Sequence, residues 1–74
     1  MADKSILCAA EFVIPGVVVC DNRATVVFSI AKPVRFKIMT GPSTAFASCA
    51  EHEAGIRHEL AQAQGGVPPK RSKV

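Results

Sequence analysis

The sequence predicts an α+β domain: a four-stranded antiparallel meander, followed by one C-terminal helix packed on one face and a disordered basic tail. Three observations carry this expectation. Residues 24–40 hold two runs with large apolar side chains at every second position, first Val26, Phe28 and Ile30, then Val34, Phe36 and Ile38. That alternation is the mark of half-buried strands. Beyond Met39 the composition shifts to Ala, Glu, Gln and His as far as Gln64, which suits a helix. The end of the chain, GGVPPKRSKV, combines Gly, Pro and basic residues as unfolded termini do. Residues 1–66 are therefore expected to form one domain and residues 67–74 the tail.

Taken in order, residues 5–13 alternate Ile6, Cys8, Ala10 and Phe12 against Leu7, Ala9 and Glu11, the pattern of a first strand. Pro15-Gly16 then has the chemistry of a type II turn, since Pro presets the first φ and Gly accepts the positive second one. Residues 17–20, VVVC, read as a second strand, and Asp21-Asn22-Arg23 as the turn into a third at residues 24–30. An unbroken strand through residue 32 would put Lys32 on the apolar face. A reversal at Lys32-Pro33 avoids this, because Pro has no N–H for a ladder, and the second run becomes strand four.

The helix is expected to start at Ser48-Cys49-Ala50-Glu51, which has the capping-box spacing, with Ser43 as a rival start. Gly65-Gly66 followed by Pro68-Pro69 ends it. Its apolar stripe would hold Phe46, Cys49, Ile56, Leu60 and Ala63, with Gly55 permitting close approach to another element at a propensity cost of about 1 kcal/mol.

One helix cannot cover both faces of such a sheet. Val18, Val27 and Met39, on the opposite side, are expected to meet a second copy of the chain or a partner protein.

Composition narrows the function classes. A chain of 74 residues buries only about 60% of its unfolded surface. The three cysteines cannot all pair with one another, which points to reduced thiols and a cytoplasmic setting. The net charge is +3, yet residues 1–64 carry six basic residues against all six acids, so the excess belongs to Lys70, Arg71 and Lys73. No stretch reaches the ~20 apolar residues of a membrane span.

Cys49 and His52 stand three residues apart, and His58, Cys8 and Cys20 are further candidate ligands. One mixed pair is weaker than the two close pairs that announce a zinc site. No metal and no cofactor is therefore expected, Cys49 being read as core and His52 and His58 as solvent-facing. No catalytic set stands out either. Arg35 and Lys37 alternate with the apolar residues of strand four and, with Arg23 and Lys32, form the best candidate binding ribbon. The expected function is that of a small non-enzymatic module, an adaptor or inhibitor occupying a partner protein's surface, as phage or mobile-element inhibitors of host machinery do. The alternative is nucleic-acid binding through the same ribbon and the tail.

Overall fold

The computed structural model describes residues 6–36 and 39–73. They form an α+β unit with a three-stranded antiparallel sheet: a single turn of helix α1 (Ala10–Val13), strands β1 (Val26–Val34) and β2 (Ser43–Ser48), helix α2 (Glu53–Ala63) and strand β3 (Lys70–Lys73). The strand order is β2-β1-β3, so the long central strand is flanked on one side by the segment before α2 and on the other by the segment after it.

The alternating face of β1 behaves as its sequence demands. Val26 and Phe28 are fully buried and meet Ile56 and Leu60 of α2, which recur at helical spacing. Phe46 of β2 lies opposite Phe28 and packs edge-on against Phe36, with ring centroids 5.5 Å apart. The Pro15-Gly16 turn forms as expected: Gly16 has φ +93° and the Val17 N–H donates to the Ile14 carbonyl. The helix stop also holds, since Gly66 N–H reaches Ala61 O and Gly65 N–H reaches Gln62 O, the paired bonds of a Schellman motif. Gly55 faces Ile14, whose Cδ1 lies 2.7 Å from where a Cβ would stand, so the helix does use that glycine for close approach.

Several expectations are corrected. There are three strands among the described residues, not four, and α2 is followed by a strand and so is not C-terminal. No reversal occurs at Lys32-Pro33, because β1 runs through both residues. Two features make this tolerable. The register against β2 shifts between Ser29 and Val34, and the side-chain amide of Gln64 takes the place of a neighbouring strand, accepting from the Lys32 N–H and donating to the Lys32 carbonyl. Position 32 thus lies level with the end of α2, past the covered part of the face, and its side chain stays in water.

Of the expected first strand, the described residues 6–13 form none. Ala10 and Val13 are the buried pair of α1, three residues apart, so the helical period prevails over the alternating one. The segment still pairs once, through an antiparallel bridge of Leu7 with Arg23, and Ala9 donates to Ala47 on the outer edge of β2. Residues 17–20 are irregular. Phe46, expected on the apolar stripe of the helix with Ser43 as a rival helix start, lies instead in β2: Phe46 and Ser48 enter the core at alternate positions beside β1, and this tertiary pairing overrides the helical preference of Ala45 and Ala47. Ser48 therefore closes a strand, its hydroxyl donating to the Cys49 carbonyl, and the capping box does not form. The tail expected to be disordered supplies β3, which pairs with residues 26–29 of β1.

Candidate metal centre

Three chain segments meet at the N-terminal end of α2. The bridge between Leu7 and Arg23, reinforced by Cys8 N–H to Asn22 O and Ala24 N–H to Ile6 O, closes residues 8–22 into a loop that returns Cys20 towards Cys8. Pairing of Ala9 with Ala47 sets Cys8 beside the end of β2, where Cys49 follows Ser48. His52 occupies the N-cap position of α2, and its ring lies over the same point.

The sulfurs of Cys8, Cys20 and Cys49 and Nδ1 of His52 all lie within 4.8 Å of one another. His52 Nδ1 is 3.4 Å from Cys20 Sγ, 3.4 Å from Cys49 Sγ and 4.0 Å from Cys8 Sγ, and the sulfurs of Cys20 and Cys49 are 3.9 Å apart. A tetrahedron built on Zn–S of about 2.3 Å and Zn–N of about 2.0 Å has S–S edges near ~3.8 Å and S–N edges near ~3.5 Å. The Cys20–Cys49, Cys20–His52 and Cys49–His52 separations lie close to those edges, and the Cys8–His52 separation is longer. At 3.9 Å the sulfurs of Cys20 and Cys49 are not bonded, and all three thiols are free and buried.

Surrounding donors favour the thiolate of Cys49. Burial works to raise the Cys49 thiol, yet hydrogen bonds from the Asn22 amide, the His52 backbone N–H and the His52 ring outweigh it and bring it down to about 6 from an ordinary 9.0. Burial dominates at Cys8 and pushes it up to about 11, even though the backbone N–H groups of Cys49 and Ala10 point at its sulfur. Asn22 holds the outer shell together: its Nδ2 donates to Cys49 Sγ and to Glu51 Oε1. A divalent cation with three thiolates carries one net negative charge, suitably placed at the positive end of the α2 dipole.

Sequence reasoning singled out Cys49 and His52 and named Cys8 and Cys20 as conceivable additions, but placed His52 in solvent. It is half-buried against two sulfurs. Asn22 carried no sequence signal beyond its turn. His58 is exposed and bonded to Gln62, away from the cluster.

Three of the four residues expected to bind a partner are described. Arg23 sits in the bridge with Leu7, Lys32 at the far end of β1, and Arg35 beyond β1 with its Nε donating to Met39 O. Lys37 lies outside the described residues. The three described positions lie in separate segments of the chain. Of the expected dimer surface, Val18 is 90% exposed in an irregular segment off the sheet, whereas Val27 and Met39 are half-buried. Among the described residues no helix is long and apolar enough to cross a membrane. Comparisons of the chain with protein families, with curated proteins and with solved structures find no match, so a functional reading rests on the site itself.

Proposed function

We propose that this chain is a zinc-stapled interaction module without catalytic activity, in which Cys8, Cys20, Cys49 and His52 hold one structural Zn²⁺. The observation that carries the reading is the convergence of four donor atoms within 4.8 Å of one another, with the Cys20–Cys49, Cys20–His52 and Cys49–His52 separations near the edges of a Cys₃His tetrahedron. The donor types agree, since three soft thiolates and an imidazole select zinc over the harder divalent ions. Need agrees as well: a core this small gains from a staple, and this one ties the loop before β1, the end of β2 and the start of α2 to a single point.

A closed set of four protein donors leaves no position for substrate or water, which supports a structural ion rather than a catalytic one. The cleft of about 410 Å³ beside β2, lined by Phe12, Met39, Ala45, Phe46 and Ala47 among others, carries no titratable side chain. A binding role is the reading left by both facts. The test is metal content and coordination. Protein purified without chelator is expected to carry one zinc per chain, and cobalt substitution should give the intense visible bands and thiolate charge transfer of a tetrahedral site. Substoichiometric zinc after refolding with excess metal, or the pale spectrum of octahedral cobalt, would overturn it.

A further inference from the structure

We propose that the free edge of the sheet, β3 together with the flank of α2 beside it, binds the phosphate backbone of nucleic acid. The inference goes beyond the metal reading and depends on it only through the folded state that presents the edge.

Ordering the C-terminal segment as a strand concentrates charge. Five of the seven described lysines and arginines, Lys32, Arg57, Lys70, Arg71 and Lys73, stand on this side of the molecule, and all five are exposed. The register places them: Lys73 lies opposite Val26 and Arg71 opposite Phe28, so these two share the helix side of the sheet, while Lys70, opposite Ser29, emerges on the other side. Arg71 reaches Glu53 in the first turn of α2, which shows which flank of the helix meets β3. Arg57, one turn after Glu53, extends that flank, and Gln64 joins it to Lys32.

The acids are elsewhere. Glu53 is the one carboxylate on this flank among the described residues, and it is engaged by Arg71. Glu59 lies one turn beyond Gly55, on the flank that meets Ile14. Glu51 is bonded to Asn22 at the metal centre, Asp21 precedes Asn22, and Glu11 lies in α1, which docks beyond β2. Among the described residues the positive charge is concentrated on this side, while Glu11, Asp21, Glu51 and Glu59 outnumber Arg23 and Arg35 elsewhere, a distribution that steers a polyanion.

Two features select nucleic acid over an acidic protein. Lysine is depleted and aromatic residues are enriched at protein interfaces, and this edge has three lysines, two arginines and no aromatic side chain. Alternate residues of a strand repeat every ~6.8 Å, so Arg71 and Lys73 present two cations in a row along the edge, as a phosphate backbone presents its charges. Outward backbone N–H groups of an edge strand add further phosphate donors. The outer edge of β2 offers no such row, because the Ser43 hydroxyl engages both N–H and C=O of Ala45, and Ala47 accepts from Ala9. Without aromatics to stack bases, binding should be independent of sequence and weak, with a Kd of about 10⁻⁴ to 10⁻⁶ M at physiological salt.

The test uses the full chain, zinc-loaded, with a fluorescently labelled mixed-sequence DNA duplex, followed by anisotropy between about 50 and 200 mM salt. Binding should weaken steeply with salt, and the pair Lys70→Glu and Lys73→Glu should flatten the log–log slope by about 1.8 if both touch phosphate. Lys70→Glu should cost more affinity than Arg35→Glu, which changes net charge equally but lies off the edge. No binding at low salt, equal loss from Lys70→Glu and Arg35→Glu, or equally good binding of poly-glutamate or anionic lipid vesicles would overturn the proposal. Zinc is measured on the same samples. A zinc-loaded chain that ignores the duplex sinks this inference and leaves the metal reading standing, whereas a folded, zinc-free chain that binds it at this edge does the reverse.

Discussion

Withdrawing zinc should unfold the protein, and the size of the effect can be worked out beforehand. A core in a chain of this length rarely supplies more than about 3–5 kcal/mol of net stability. Three of its buried members, Cys8, Cys20 and Cys49, are the thiols that meet His52. An ion present at about a thousand times its Kd stabilises the native state by about 4.1 kcal/mol, as much as that whole core contributes. For a domain of this size each kcal/mol moves Tm by about 4–8 °C, so chelation should lower Tm by about 16–33 °C or abolish the transition. The assay is thermal unfolding followed by circular dichroism, in excess zinc and in excess chelator, on the wild type and on Cys20→Ser. A serine hydroxyl does not ionise to replace the thiolate, so the variant should melt low in both conditions and show no response to chelator. A wild type with the same Tm in zinc and in chelator would refute the reasoning and return the three cysteines to the role of small core hydrophobes.

Three further outcomes follow from particular contacts. Apparent zinc affinity, measured by competition with a chromophoric chelator, should fall as pH is lowered, because protons compete for the three sulfurs and the imidazole; an affinity flat from pH 8 to about pH 5.5 would contradict thiolate ligation. Gln64→Ala removes both hydrogen bonds to the Lys32 main chain and should cost about 1–2 kcal/mol in denaturant unfolding, with faster amide exchange at Lys32; unchanged exchange there would show that the amide does not act as a surrogate strand. Gly55→Ala should be close to neutral alone, since the helix-propensity gain is offset by the 2.7 Å approach to Ile14 Cδ1, but should stabilise by about 0.8–1 kcal/mol in an Ile14→Val background that lacks that atom; strict additivity in the double-mutant cycle would mean that the contact carries no energy.

What the sequence determined by itself is what short-range physics controls. Pro15-Gly16 makes its turn and Gly65-Gly66 ends its helix because the φ values that these residues permit are set within a few bonds. Val26 and Phe28 face the core, and Ile56 and Leu60 meet them, because period alone assigns those faces. The tertiary structure decided everything that required a neighbour. Ala45–Ala47 became strand because β1 offered an edge, Lys70–Lys73 became strand for the same reason on the other side, and Pro33 was carried inside β1 because Gln64, 32 residues from Lys32, supplied the missing partner. The candidate metal centre belongs to this second kind. Its donors come from three segments, Cys20 lying 29 residues before Cys49, so no spacing motif announces it. Only closure of the loop before β1 against the end of β2 brings four lone pairs to a common point, and ligand geometry is a property of that point rather than of any stretch of chain.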